Sequence, residues 1–212
     1  RYTSWNDIWS YPGYKERDIL PGDYKYEDWN GDGEINGQDE HPFAFDQTPW
    51  LQFSLNAGLQ WKNLDFNMLL QGSALGSMEY KEPLHEIWGK NGGGALTQFL
   101  DRWHPVDPKA DPYDPSTVWT SGHYAYTGRW AKNNSAFNRV STAYLRLKSI
   151  ELGYTFPKLK QIPNASLRIY ANAYNLLTFT GVKFVDPEHP DDDLGRMYPL
   201  NKTYTLGVSL SF

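Results

Sequence analysis

The closing residues of the chain sort by parity. Tyr204, Leu206, Val208, Leu210 and Phe212 are apolar or aromatic, while Thr203, Thr205, Gly207, Ser209 and Ser211 are small and mostly polar. Successive side chains of a β-strand point to opposite sides, so a period of two predicts a strand with one apolar face. The same alternation fills residues 50–61, where Leu51, Phe53, Leu55, Ala57, Leu59 and Trp61 stand against Gln52, Ser54, Asn56, Gly58 and Gln60. A tight turn at Lys62-Asn63 then sets Leu64, Phe66, Met68 and Leu70 against Asp65, Asn67, Leu69 and Gln71, which predicts a hairpin. In residues 144–156, Ile150, Leu152, Tyr154 and Phe156 share one face. Leu145 and Leu147 are out of phase with them, so a bulge near Lys148-Ser149 or an exit from the buried zone is expected. Leu167, Ile169, Ala171 and Ala173 against Arg168, Tyr170, Asn172 and Tyr174 give a further strand.

These five strands are joined by connectors that alternate in length. Residues 1–49, 75–142 and 176–202 are long and aperiodic; residues 62–63 and 157–164 are short. Loop is predicted for residues 1–27, with a short strand near their start, and a short helix for residues 95–103, where Leu96, Phe99, Leu100 and Trp103 fall at helical spacing. Strands of this length can cross an apolar band of about 25 Å when tilted, and a polar face of Gln, Asn, Arg and Thr suits a lumen. The pattern favours an all-β antiparallel transmembrane barrel segment over a soluble sandwich or jelly roll, which would have shorter strands and more even connectors. Five strands cannot close a barrel, since bacterial barrels have at least about eight, so the remaining strands are expected elsewhere.

Composition narrows the partners. A net charge of −5 with no basic stripe argues against a nucleic-acid binder. The chain has no cysteine, hence no disulfide framework and no thiolate metal site. Its mean hydropathy of −0.66 is compatible with a β-barrel, which spends only alternate strand residues on lipid. No apolar run approaches the ~18 residues of a membrane helix. Beginning at Arg1, without Met or signal peptide, the sequence reads as a fragment.

Residues 144–157, YLRLKSIELGYTFP, resemble the signature "YLRLKN-hydrophobic-x-LGYxxP" of the SusC/RagA family of TonB-dependent outer-membrane transporters of Bacteroidetes. The resemblance extends through Leu167-Arg168-Ile169-Tyr170, residues 175–180, Asp186-Pro187-Glu188, Tyr198-Pro199 and residues 203–212. Upstream it takes in Pro21-Gly22-Asp23 and the Asp/Asn/Gly-rich run that follows. It covers residues 21–72 and 140–212. It implies that the chain holds the last five strands of a barrel of about 22, residues 50–212, preceded by an extracellular region 1–49. It also implies a SusD-like surface lipoprotein partner, coupling to the TonB complex through a missing N-terminal region, and import of oligosaccharides or peptides across the outer membrane. The loops 1–49, 75–142 and 176–202 would be extracellular and the short connectors periplasmic. Phe212 resembles the terminal aromatic by which such barrels are recognised for insertion. The competing reading is a soluble calcium-stabilised β-sandwich that binds carbohydrate.

The sharpest chemical motif is the run from Asp28 to Asp39. Asp28, Asn30, Asp32, the Glu34 carbonyl, Asn36 and Asp39 stand at positions 1, 3, 5, 7, 9 and 12 of a calcium loop, with Gly33 at position 6. Asp39 replaces the usual Glu, and flanking helices are not evident, so a structural ion is expected and not a switch. A metal-free Asx/Gly turn is the alternative. Asp186-Pro187-Glu188 and Asp191-Asp192-Asp193 read as solvated loop. The five histidines are scattered, and neither a metalloprotease spacing nor a nucleophile motif occurs, so no enzyme is expected. Trp88, Trp103, Tyr113, Trp119, Tyr124, Tyr126 and Trp130 are candidates for stacking on substrate or partner, with ordinary packing as the alternative. Asn56, Gln60, Arg168, Tyr170 and Asn172 are candidate pore-lining residues.

Overall fold

The structure, a computed structural model, describes residues 1–12, 18–85, 95–126, 135–157, 165–189 and 195–212. The chain divides into two compact units, one of residues 1–44 and 79–139 and the other of residues 45–78 and 140–212. Loop 75–142 thus belongs for the most part to the unit that contains the N-terminal segment.

The second unit is built on one antiparallel sheet. Its strands are β1 (Leu51–Trp61), β2 (Leu64–Ala74), β7 (Tyr144–Phe156), β8 (Ser166–Thr180) and β9 (Thr203–Ser211), hydrogen-bonded in the order β1-β2-β7-β8-β9. Between β2 and β7 come β3 (Ser77–Glu79), β4 (His104–Pro105), β5 (Trp119–Thr120) and β6 (Arg139–Ser141), forming the two-stranded pairs β3-β6 and β4-β5. The β1–β2 hairpin closes through Lys62 at φ 57°, the left-handed conformation that the tight turn demands. Leu59 lies opposite Phe66 and Gln60 opposite Asp65, so apolar meets apolar and polar meets polar across the ladder.

The expected bulge is present. Both ladders of β7 shift register around Lys148, with Leu147 and Ser149 pairing on either side of it. The strand thereby changes phase, and Leu145 and Leu147 join the apolar face. On β8, Asn175 at φ 53° and Leu176 are the irregularity opposite Lys148, after which Leu177 and Phe179 resume the alternation. β8 therefore runs to Thr180, and the residues assigned to the start of loop 176–202 are strand.

Along its outer strands the apolar rows of this sheet are exposed among the described residues. Leu55, Leu59, Trp61, Leu206 and Val208 are each more than half exposed. Rows of this kind beneath a second sheet would be buried, as a sandwich requires. On the polar face close approach is set by glycine: a Cβ at Gly207 would collide with the ring of Tyr170, and one at Gly153 with the guanidinium of Arg168.

The first unit opens with α1 (Trp5–Ser10), where loop or short strand was expected. Ser4 caps it, its Oγ accepting from the Asp7 N–H at 3.2 Å. The helix predicted for residues 95–103 is one 3₁₀ turn, Thr97–Leu100, whose Phe99 packs edge-on to Tyr124. It ends because the Asp101 carbonyl turns to accept from the N–H groups of His123 and Tyr124. Arg1 lies over Tyr24 and Phe137, 4.7 Å from each ring centroid.

Gly207→Ala should displace the Tyr170 ring and destabilise the sheet by about 1–3 kcal/mol. The full-length protein should then lose its folded, fast-migrating form on unboiled gels at a lower temperature than the parent.

Candidate functional site

Loop 28–39 is folded by its own side chains. The Asp28 carboxylate accepts from the N–H groups of Gly31 (2.8 Å), Asp32 (3.2 Å) and Gly33 (2.9 Å). At the other end Asp39 accepts from Asn36 (2.8 Å), Trp29 (2.9 Å) and Asn30 (3.4 Å). Asp32 accepts from the N–H of Glu34 at 2.8 Å, and Asn36 from that of Gln38 at 2.8 Å. Gly31 at φ 74° and Gly33 at φ 83° supply the left-handed residues these turns need. The N–H donors, that of Asn36 foremost, hold the Asp39 carboxyl below the usual carboxylate range. That contribution to loop order is present above the ordinary Asp pKa, near about 4, and is lost as pH falls through the depressed value. Among the described residues no three His, Asp or Glu side chains converge as a metal-holding group. The six candidate ligands, Asp28, Asn30, Asp32, Glu34, Asn36 and Asp39, thus form a loop rich in hard oxygen donors that is held together by backbone N–H groups.

Two ion-pair networks stand on the polar face of the sheet. In the first, Arg168 pairs with both carboxylate oxygens of Asp65 and donates to Glu151 at 2.7 Å. Its guanidinium lies 4.8 Å from the Tyr170 ring centroid, and Asn172 Nδ2 reaches Glu151 at 3.4 Å. Three of the five predicted lumen residues, Arg168, Tyr170 and Asn172, are thus brought together, along with two acids that sequence reasoning did not single out. Asn56 and Gln60 stand on the same face of β1, paired across the ladder with Leu69 and Asp65.

The second network was not anticipated. Arg146, fully buried, donates through Nη1 to Glu188 and through Nη2 to Asp186, each at 2.6 Å, and through Nε to Thr178 at 3.0 Å. Glu188 also accepts from the Tyr144 hydroxyl at 2.8 Å and from Gln71 at 3.4 Å. The Asp186-Pro187-Glu188 stretch, expected to be solvated loop, is therefore drawn onto the polar face, with Pro187 buried. It forms one wall of a cavity of about 610 Å³, whose lining includes Gln52, Ser54, Gln71, Thr142, Tyr144 and Glu188. The signal that could have found it is Arg146 itself. An arginine on the polar side of a strand, with two carboxylates two residues apart in the loop after the neighbouring strand, can pair with one through each Nη.

The aromatic candidates do not form one surface. Tyr124 is 5% exposed, packed against Phe99 and Phe137; it is a core residue, which corrects its assignment as a contact residue. Trp103 packs where a Cβ on Gly22 would collide with its ring, and Trp119 meets Tyr126 edge-on at 5.4 Å. Tyr113 is about half exposed. Trp88 and Trp130 lie outside the described residues.

No protein-family model matches the chain. Two TonB-dependent receptors of Formosa agariphila are each 28% identical to it, over 92% and 94% of this chain. The chain spans 19% and 20% of their length, about a fifth. Among solved structures it resembles the RagAB peptide importer in the closed-closed state, with a TM-score of 0.58 and 22% identity, over 91% of this chain and 21% of that one. The open-open state gives a TM-score of 0.57 and 21% identity, over 85% and 19%. A further RagAB peptide transporter structure gives 0.59 and 22%, over 85% and 19%. The structural likeness concerns the fold: a mostly antiparallel sheet with very little helix.

Replacing both Asp186 and Glu188 by their amides would leave the Arg146 charge buried and uncompensated. The expected loss of stability is on the order of 3 kcal/mol. Either single replacement should cost less, because one carboxylate remains; denaturant unfolding of the full-length protein would measure the difference.

Proposed function

We propose that the chain is a SusC/RagA-like segment of a TonB-dependent transporter and that its five strands are the last part of an outer-membrane barrel importing oligosaccharides or peptides. The observation that carries this reading is the exposed apolar row on strands of 9 to 15 residues. In water such a row is costly; against lipid it is what a spanning strand presents. The opposite face carries charged and amide groups suited to a lumen. The sheet edges, β1 and β9, would pair with barrel strands beyond this segment, and the rest of the barrel would hold the coupling to TonB. The long loops would face outward, where a SusD-like lipoprotein would lid the barrel. The neighbours in the solved structures are RagAB assemblies, which supports a partner of that kind. No chemistry on substrate is proposed; the role is transport.

In the source bacterium the full-length protein should fractionate with the outer membrane and require detergent for extraction. Its deletion, or deletion of TonB, should abolish uptake of one class of oligomer while uptake of monomers continues. Recovery in the aqueous fraction as a folded soluble protein would overturn the reading.

For loop 28–39 we propose a structural calcium ion bound by Asp28, Asn30, Asp32, the Glu34 carbonyl, Asn36 and Asp39. The support is the donor set and the left-handed Gly33 at the position where such a loop turns. Calorimetry on the folded protein should show uptake with a Kd of roughly 0.1–1 mM. Trp29, stacked 3.9 Å from His41 beside the loop, should report binding by fluorescence. Asp32→Ala should abolish both signals; calcium heats that survive this change would refute the assignment.

A further inference from the structure

The cavity beside Arg146 carries an electrostatic asymmetry. Glu188 is the one Asp or Glu among its described lining residues, and no Lys or Arg lines it. Arg146 contributes its positive charge from a fully buried position, behind the carboxylates of Asp186 and Glu188, whose side chains are 28% and 42% exposed. One cation and two anions leave the cluster net negative, and its exposed part is the acidic part. The remaining lining is chiefly neutral donors and acceptors, among them Gln52, Ser54 and Gln71, with His189 as a further titratable residue. Thr142 also lines the cavity. It is 4% exposed, and its Oγ1 is turned against Gly76, so its hydroxyl packs the wall and does not face the cavity.

We infer that this cavity is a charge-selective binding site that takes neutral or cationic hydrogen-bonding groups and disfavours anionic ones, with Glu188 setting the selectivity and Arg146 positioning it. Two fixed hydrogen bonds bracket the Glu188 carboxylate, from Arg146 Nη1 and from the Tyr144 hydroxyl, so its charge is held at one wall of the cavity. A carboxylate restrained in a walled, partly desolvated space attracts cations and repels anions more strongly than one on an open surface. That the cavity opens to a transport path rests on the import reading; the selectivity does not.

The test uses the full-length transporter carrying Ser54→Cys, the segment here having no cysteine of its own. Reaction rates at pH 8 with a trimethylammonium and a sulfonate methanethiosulfonate reagent are corrected for the protein without the added thiol and normalised to free cysteine. The cation-to-anion ratio should exceed the free value by about fivefold. Glu188→Gln should bring it close to the free value, whereas Glu188→Asp, which keeps the charge, should retain most of it. Folded migration on unboiled gels checks each variant, and Gln52→Cys replaces Ser54→Cys if that variant does not fold. A parent ratio equal to the free value, or equal loss in Glu188→Gln and Glu188→Asp, would overturn the inference. A high ratio in a protein that transports nothing would overturn the import reading alone.

Discussion

The antiparallel ladder allows each strand only two orientations, and a slip of one residue would carry a whole apolar row to the polar side. Everything else on the sheet follows from this constraint. Leu55, Leu206 and their neighbours stay on one face, Arg146 and Arg168 on the other, only because the register holds across all four strand pairings. Where β7 changes phase at Lys148, β8 answers with Asn175 and Leu176, so that Arg146 still meets Thr178 across the strands and Leu145 still meets Phe179. Without the compensating irregularity, the upper halves of these strands would present opposite faces to the same side.

On that ordered polar face, charge is neutralised locally. Arg168 is placed between Asp65 and Glu151 and stacked beside Tyr170; Arg146 is placed between Asp186 and Glu188. A buried guanidinium such as that of Arg146 needs both charge compensation and filled donor positions, and two carboxylates with the Thr178 hydroxyl supply both. The glycines at 153 and 207 give Arg168 and Tyr170 the space to lie along the sheet, so small residues on this face serve the large ones on the neighbouring strand. The loop carrying Asp186 and Glu188 is held by the same principle, which turns a stretch of polar sequence into a cavity wall.

The strands were legible because period two is a local signal that tertiary context could only reinforce. Even the bulge at Lys148 showed, as a phase change between Leu147 and Ile150. The continuation of β8 did not, because Asn175 adopts a left-handed φ that sequence alone does not demand, although Leu177 and Phe179 kept the parity of Ala171 and Ala173. Residues 95–103 had helical spacing, yet their tertiary partners, Tyr124 and the Asp101 carbonyl, limited them to one 3₁₀ turn. The calcium-type loop was visible as a spacing, since each of its ligands lies within twelve residues of the others. The Arg146 network was hidden because its members are about forty residues apart and meet only once β7, β8 and the following loop are assembled. Tyr124 misled for the complementary reason: an aromatic in a long polar loop looks available until a core forms around it.

In the proposed barrel, lipid meets the apolar rows of this sheet and water the polar ones. Spin labels placed singly along residues 203–210 of the full-length protein in bilayers test it most directly. Accessibility to oxygen, which partitions into lipid, should peak at Tyr204, Leu206, Val208 and Leu210. Accessibility to a water-soluble nickel chelate should peak at Thr203, Thr205 and Ser209, the two profiles alternating out of phase. Labels at Leu206 and Val208 that are shielded from both reagents would mean that protein, not lipid, covers that face, and would rule out the proposed barrel.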